Sequence, residues 1–227
     1  MSPMSTPAKV WQEMARGNDR FVRGEPRHPR QDVERREELA FLQDPHAALF
    51  GCSDSRLAAE IIFDKGIGDL FVVRNAGQVI SESVVGSLEY AVSVLDVKLI
   101  VVLGHDRCGA VAAAIESAGP DATPLPPHIH HLIAPILPAV RRVGGASIDN
   151  PAAVDSQEVL REHLKDTVRE LLESSELISD AIAAGTLAVV AVHYRLIEGR
   201  AEPYFVVGDV GEVRMSEPSE REKDTTP

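Results

Sequence analysis

Residues 99–109 read LIVVLGHDRCG, an apolar run that passes directly into a histidine and a cysteine. A continuous apolar run of this length is typical of a strand buried on both faces, as in a parallel sheet. Similar runs occur at Ala47–Phe50, Leu70–Val73 and Leu187–Val192. Because helical patterns separate these runs, the sequence predicts β-α-β units around a parallel sheet, which is an α/β fold.

The segments between and after the strands complete this prediction. Helical periodicity is found at Val33–Leu42, Val84–Leu95, Gly109–Ser117 and Ser156–Ala184. Tyr204–Val207 follows the last predicted strand after a turn that contains glycine. We therefore expect it to pair as a hairpin at the edge of the sheet.

An amphipathic helix is predicted ahead of the sheet, at Lys9–Val22. Its apolar stripe includes Trp11 and suits packing on the chain's own core and packing on a partner subunit equally well. The length of the chain fits one domain, 1–211. This domain consists of a helical arm and a core, and a polar tail without periodicity, predicted to be disordered, follows it. The three parts are 1–42, 43–211 and 212–227.

Composition excludes several classes of protein. The 23 basic and 35 acidic residues give a net charge of −12 with neutral histidines. Such a surface repels nucleic acid and anionic membranes. No apolar run approaches the roughly 20 residues that a membrane span needs, and Met1–Pro7 lacks the features of a signal peptide. We expect a soluble, cytoplasmic protein that binds neither nucleic acid nor membrane.

The chain has two cysteines, Cys52 and Cys108. By themselves they allow a disulfide, two buried thiols or two metal ligands. Their neighbours favour metal ligands, because C-S-D-S-R at 52–56 and H-D-R-C-G at 105–109 each follow a predicted strand directly. The carboxyl ends of parallel strands are where open α/β sheets form ligand crevices.

The donor types at these two strand ends suit zinc. Two thiolates and one imidazole, from Cys52, His105 and Cys108, are ligands that zinc prefers. His105 and Cys108 lie three positions apart across a strand end and a helix start, so both can face one point, where helical amides favour a thiolate. Because three protein ligands leave one coordination position open, the sequence predicts a catalytic zinc site.

Together, C-S-D-S-R at 52–56 and G-H-D-R-C-G at 104–109 resemble the paired signature of the β-class carbonic anhydrases. R-N-A-G at 74–77 and S-L-E-Y-A at 87–91 extend the resemblance over roughly 11–211. It implies a four-stranded parallel core sheet with an antiparallel edge strand, flanking helices and an N-terminal helical arm. It also implies a homodimer or a dimer of dimers that hydrates carbon dioxide reversibly to bicarbonate and a proton through a zinc-bound hydroxide.

The resemblance assigns roles to individual residues. Cys52, His105 and Cys108 match the family's zinc ligands, and Asp54 and Arg56 match its Asp-Arg dyad. An ion pair with Arg56 keeps Asp54 off the metal and free to accept a hydrogen bond from the zinc-bound water. In a closed form of the family, Asp54 itself becomes the fourth ligand, and the sequence leaves the choice between the two forms open.

Four further positions match the family's substrate-binding residues. Gln43 corresponds to a glutamine that reaches the substrate oxygen from across the dimer interface, and Phe71 and Tyr90 correspond to an apolar wall. Gly109 offers a backbone amide. An apolar wall suits carbon dioxide, which carries no net charge. Without the resemblance, Phe71 and Tyr90 would be interpreted as core packing and Gln43 as a surface residue.

Other features of the sequence leave alternatives open. Leu49 stands where a bacterial subset of the family with a regulatory bicarbonate pocket has tryptophan, so we do not expect that regulation. His128, His130 and His131 follow a proline-rich loop and fit a solvated helix start better than a second metal site or proton relay. The alternatives to carbon dioxide hydration are hydrolysis of carbonyl sulfide or carbon disulfide and a catalytically silent zinc-binding protein.

Overall fold

A five-stranded sheet in the order β2-β1-β3-β4-β5 forms the centre of the molecule, which the computed structural model describes for residues 6–213. The strands are β1 (Ala47–Cys52), β2 (Leu70–Asn75), β3 (Leu99–His105), β4 (Ala188–Arg195) and β5 (Arg200–Val207). Strands β1 to β4 are parallel, and β5 pairs antiparallel with β4. This arrangement confirms the predicted four-stranded parallel core with an antiparallel edge.

Helices cover the sheet and follow the strands in the expected alternation. Within residues 6–213 the α-helices are α1 (Pro7–Val22), α2 (Val33–Glu38), α3 (Ala59–Ile62), α4 (Glu82–Ser93), α5 (Gly109–Ser117), α6 (Pro127–Ile133), α7 (Leu137–Gly144), α8 (Ser156–Ser174) and α9 (Glu176–Ala183). Among these residues, no helix combines the length and the apolar character needed to cross a membrane. The predicted disordered tail lies outside the described residues from residue 214 onward.

The position of β1 in the sheet creates the crevice that the site uses. Every residue of β1 and of β3 is buried, as expected for strands covered by helices on both faces. The chain leaves β1 to form β2 on one side and later returns to form β3 on the other side. Such a topological switch point opens a crevice at the carboxyl ends of the two strands. Cys52 ends β1 and His105 ends β3, so both reach this crevice.

Helix α1 packs on the chain's own core. Its residues Val10, Trp11 and Met14 are buried against the rest of the same chain. Asn18, on the same helix, donates from its amide to the carbonyl oxygens of Ile62 and Gly199 at 3.1 and 2.8 Å. Of the two interpretations of the Trp11 stripe, the structure therefore supports packing within the chain.

The close fit of α1 against α3 yields a stability prediction. A Cβ at Gly17 would lie 1.9 Å from the carbonyl oxygen of Phe63. Gly17→Ala must push the helix away, and we expect a loss of about 1–3 kcal/mol in the free energy of unfolding. Gly86→Ala is the control, because a Cβ at this helical glycine would meet no atom of residues 6–213 within 4 Å apart from its chain neighbours and the backbone of its own helix. Better helix propensity should make Gly86→Ala neutral or stabilising by up to about 1 kcal/mol in urea denaturation.

Two predicted helices differ from the observed ones. The stretch Ser156–Ala184 is two helices, because Ser175 leaves the helical conformation at φ −138° and its hydroxyl caps α9 by accepting from the amide of Ile178 at 3.2 Å. Helix α2 is shorter than predicted and ends at Glu38, where Leu39 adopts φ −90° and ψ 1°.

Candidate active site

Three side chains of types that can bind a metal ion meet at the switch point of the sheet. Cys52 ends β1, His105 ends β3, and Cys108 occupies the N-cap position of α5. All three residues are buried, and their ligand atoms lie within 4.8 Å of one another. Both cysteines are free thiols, which excludes a disulfide between them in this structure. The cluster could hold one metal ion.

His105 is oriented to present a lone pair to this cluster. Its Nδ1 lies 2.8 Å from the carbonyl oxygen of Asp106, so Nδ1 carries the hydrogen and donates it. The other ring nitrogen, Nε2, is buried and has no hydrogen-bond partner among residues 6–213. A buried acceptor without a partner is costly, and a bound cation would satisfy it. The imidazole therefore fits a metal ligand.

The two thiols favour a cation between them. The pKa of the Cys52 thiol is lowered to about 4, first by a hydrogen bond with Cys108 and further by the amide of Gly77. The pKa of the Cys108 thiol is raised, because it is hydrogen-bonded to Cys52 and buried beside its charge. Hydrogen bonds from the amides of Val111 and Ala110, in the first turn of α5, lower the pKa of Cys108 and so oppose this rise. A cation would stabilise both groups as thiolates, so the donor set suits a thiolate-binding metal.

Asp54 lies next to the cluster and is held there by Arg56. The guanidinium donates to both carboxylate oxygens, from Nε at 2.9 Å and from Nη2 at 2.7 Å. This ion pair holds the pKa of Asp54 well below its usual range. Arg56 Nη2 also donates to the carbonyl oxygen of Arg107 at 3.2 Å, which links the two sequence motifs. Asp54 Oδ2 lies 3.9 Å from His105 Nε2. The carboxylate therefore lies beside the ligand cluster while it stays bonded to Arg56.

Two residues without a predicted role also shape the site. Arg74 donates to the carbonyl oxygens of Cys52 and Asp54 at 3.0 and 2.7 Å, which fixes the backbone between the ligand and the dyad. A signal for Arg74 was available, because the R-N-A-G motif at 74–77 spans the end of β2 at the carboxyl edge of the sheet. The second residue, His163, is on α8, and no motif in the sequence pointed to it.

The predicted substrate-binding residues divide into two groups. Gly109 is exposed next to Cys108. Apart from its chain neighbours and the backbone of its own helix, a Cβ there would meet no atom of the described residues within 4 Å, so its position is open to a small molecule. Phe71 and Tyr90 lie together, with ring centroids 6.1 Å apart. However, Phe71 pairs with Ala48, four residues before Cys52 along β1. At the rise of a strand this separation is about 13 Å.

Within one chain, therefore, the aromatic pair of Phe71 and Tyr90 is near the amino end of the parallel strands. The cluster of two cysteines and one histidine is at the carboxyl end. Gln43 is exposed in the loop before β1, on the same amino-terminal side of the strand. The fold thus brings Gly109 to the cluster and keeps Gln43, Phe71 and Tyr90 away from it.

The remaining histidine cluster is on the surface. His128, His130 and His131 are exposed on α6, near its start at Pro127. This position agrees with the interpretation of these residues as a solvated helix start.

Comparison with known proteins places these observations in one family. A family profile described as carbonic anhydrase matches residues 47–201. Carbonic anhydrase 2 of Mycobacterium tuberculosis is 46% identical over 213 residues, which cover 92% of this chain and 99% of the relative. A carbonic anhydrase of Mycolicibacterium smegmatis is 44% identical over 214 residues, which cover 93% of this chain and 100% of the relative.

Solved structures with the same fold support this relationship. A crystal structure of a tetrameric β-carbonic anhydrase from the filamentous ascomycete Sordaria macrospora matches with a TM-score of 0.61 and 29% identity, over 74% of this chain and 84% of the other. The β-carbonic anhydrase CcaA matches with a TM-score of 0.63 and 26% identity, over 86% of this chain and 95% of the other.

Proposed function

The chain belongs to the β-class carbonic anhydrases, and we propose that it carries out the reaction of this family with zinc held by Cys52, His105 and Cys108. The reaction is the reversible hydration of carbon dioxide to bicarbonate and a proton. The observation that carries the proposed ligand set is the meeting of three ligand atoms within 4.8 Å. The unpartnered Nε2 of His105 supports it further.

Zinc is the metal that best suits these residues. Two thiolates and an imidazole are softer donors than magnesium, calcium or manganese prefers. When bound, zinc acts as a Lewis acid that lowers the pKa of water from about 15.7 towards ~7 and so supplies a nucleophile at neutral pH. Cys52, His105 and Cys108 would supply three ligands, which would leave one coordination position for this water.

Asp54 and Arg56 serve to orient the nucleophile. The ion pair keeps Asp54 ionised throughout the neutral range, because its pKa is held well below its usual range by Arg56. An ionised carboxylate is an acceptor for a hydrogen bond from water. Arg56 also holds the carboxylate away from the ligand position, because both of its oxygens are bonded to the guanidinium. We propose that this arrangement is the open form of the site, and that Asp54 is a metal ligand only in a closed form.

The site accommodates the substrate at the start of α5. Gly109 leaves open space next to Cys108, and we propose that its backbone amide contacts an oxygen of the substrate or product. Carbon dioxide carries no net charge, so an apolar wall beside the nucleophile favours its approach and the release of bicarbonate. Phe71 and Tyr90 would form such a wall, but in one chain they lie towards the other end of the sheet.

We therefore propose that a second copy of the chain completes the site in a homodimer or a dimer of dimers. Gln43, Phe71 and Tyr90 would then reach the metal cluster of the neighbouring copy. Gln43 lies beside two apolar side chains with high exposure in the single chain, Phe41 at 99% and Leu42 at 58%. Such side chains suit an interface between subunits.

A pair of variants separates assembly from substrate contact. Gln43→Ala should lower carbon dioxide hydration by about tenfold and leave the oligomer intact, because one polar contact to substrate is worth about 1.4 kcal/mol. Phe41→Asp should lower both the molar mass in light scattering and the activity, because it places a charge in an apolar interface. A monomeric Phe41→Asp variant with full activity would contradict the shared site.

The activity itself is tested by stopped-flow measurement of carbon dioxide hydration with the zinc-loaded protein. Carbonyl sulfide and carbon disulfide are tested in parallel. We expect rapid hydration of carbon dioxide and little hydrolysis of the two sulfur compounds. A protein that bound zinc but hydrated no carbon dioxide would be a silent zinc-binding protein instead.

Because both cysteines are free thiols, we expect the enzyme to act in a reducing compartment such as the cytoplasm.

A further inference from the structure

A line of hydrogen bonds reaches the Cys52 sulfur from the interior of the protein. The amide of Gly77 donates to Cys52 Sγ at 3.3 Å. The carbonyl oxygen of the same glycine lies 2.7 Å from Nε2 of His163, which is in the middle of α8. His163 is 2% exposed, and it is 86 residues from Gly77 in the sequence. One glycine thus connects a metal-ligating cysteine to a buried histidine.

The turn that contains Gly77 is tightly constrained. Gly77 has φ +81°, and a Cβ there would lie 2.8 Å from the Cβ of Ala110 in α5. The Asn75 side chain holds the far end of the turn, with its Nδ2 donating to the carbonyl oxygen of Val79 at 2.7 Å. Its Oδ1 accepts from the Val79 amide at 2.9 Å. The Gly77 amide and the Gly77 carbonyl belong to the two peptide planes that meet at its Cα. Because the turn restricts the rotation between these planes, a donor that fixes the carbonyl also limits the direction of the amide.

His163 can act here only as a neutral donor. A carbonyl oxygen accepts, so Nε2 carries the hydrogen and Nδ1 does not. Burial lowers the pKa of His163, which keeps the ring neutral. A neutral ring adds no charge next to the thiolates. Its contribution is therefore the placement of the Gly77 backbone, through the carbonyl that it binds.

We propose that His163 is a positioning residue for the metal site, which aims the Gly77 amide at the Cys52 thiolate; this inference rests on the proposed zinc function. An N–H···S hydrogen bond withdraws electron density from a thiolate, so that it donates less to the metal. A metal that receives less charge from its ligands is a stronger Lewis acid. Loss of the contact should therefore make the site a weaker acid catalyst and change the thiolate-to-metal electronic transition.

The experiment compares three substitutions of His163 in the full-length protein loaded with Co²⁺ or Zn²⁺. His163→Gln places an amide nitrogen near the position of Nε2 and should keep the donor. His163→Asn places it near the position of Nδ1, and His163→Leu has no donor. Thr167→Val is the control on the same helix. Thr167 Oγ1 lies 3.4 Å from the carbonyl oxygen of Gln78, the residue that follows Gly77, so this substitution perturbs the same turn without touching the Gly77 carbonyl.

We expect the asparagine and leucine variants to differ from the wild type in three respects. The thiolate-to-Co²⁺ charge-transfer band should move to longer wavelength. Zn²⁺ release to a chelator should be about tenfold faster, because the Cys52 thiolate is no longer held in place and, being more basic, is protonated more readily. The pH profile of kcat should shift to higher pH. His163→Gln should resemble the wild type in the Co²⁺ band, the Zn²⁺ release rate and the pH profile. Thr167→Val should lower the stability of the protein and leave these three properties unchanged.

Several outcomes would overturn the inference. If the asparagine variant kept the wild-type Co²⁺ spectrum and Zn²⁺ release rate, His163 would be a structural residue only, even if its Tm fell. If the His163→Leu variant does not fold, the comparison of His163→Asn with His163→Gln tests the inference. If the wild type carried Zn²⁺ on other residues, the proposed function and this inference would both fail. If the wild type were active and the asparagine variant had the same Co²⁺ spectrum, the inference alone would fail.

Discussion

Cys52→Ser and Cys108→Ser variants are expected to lose the bound metal and at least about a thousandfold of carbon dioxide hydration, because the pKa of water stays near 15.7 without a metal. Serine keeps the size of the side chain but replaces the thiolate with a hydroxyl that is a poor zinc ligand. The two thiols also depend on each other, since the low pKa of Cys52 arises first from Cys108. Metal content by elemental analysis and stopped-flow hydration measure the two effects.

Ser53→Ala is the matched control for these two variants. Ser53 is exposed and adjacent to Cys52, so the substitution tests local disturbance without removing a ligand. It should keep the metal and nearly all of the activity. A Cys108→Ser variant that retained both stoichiometric zinc and wild-type turnover would remove Cys108 from the ligand set.

Arg56→Ala is expected to cost well over about tenfold in turnover while zinc stays bound. The substitution removes both guanidinium hydrogen bonds to the Asp54 carboxylate and leaves only the one that the Arg56 backbone amide donates to Oδ1 at 2.9 Å, so Oδ2 loses its partner. Asp54 lies close to the cluster, with Oδ2 3.9 Å from His105 Nε2, and is then free to become a metal ligand and exclude water. Higher pH favours the water-derived nucleophile in this competition, so activity should rise from near-neutral towards alkaline pH.

Two companion variants distinguish the roles within the dyad. Arg56→Lys keeps a positive charge but loses the two-point contact with the Asp54 carboxylate. Its turnover should lie between that of the wild type and that of Arg56→Ala. Asp54→Ala should also keep zinc but lose the acceptor for the nucleophile. If Arg56→Ala showed wild-type turnover from pH 7 to pH 9, the dyad would be a structural ion pair only.

Much of the fold was predictable because its signals are local. The runs that begin at Ala47, Leu70 and Leu99 each hold enough apolar residues for a buried strand, and the ligand motifs follow two of these runs directly. The sequence thus predicted that Cys52 and His105 share one edge of the sheet. It did not predict the break at Ser175, since a serine in a helical pattern becomes a cap only where the chain turns.

The parts of the site that depend on tertiary contacts were not predictable. Arg74 contacts Cys52 across 22 positions of the sequence, and His163 contacts Gly77 across 86. The R-N-A-G motif marks the position of Arg74 at the end of β2 but not its partners, and no motif marks His163. The separation of Phe71 from the cluster likewise follows from the register between β1 and β2, which a single sequence does not give. The division at residue 42 into an arm and a core stays a prediction, although α1 packs on the core of its own chain.

The ligand set is tested most directly by zinc K-edge X-ray absorption of the freshly purified, reduced protein. We expect about one zinc per chain, with two sulfur neighbours at about 2.3 Å and two nitrogen or oxygen neighbours at about 2.0–2.1 Å. One of the light neighbours should show the outer-shell scattering of an imidazole, from His105. A zinc surrounded by oxygen and nitrogen alone, or a disulfide between Cys52 and Cys108 in the reduced preparation, would contradict the proposed centre.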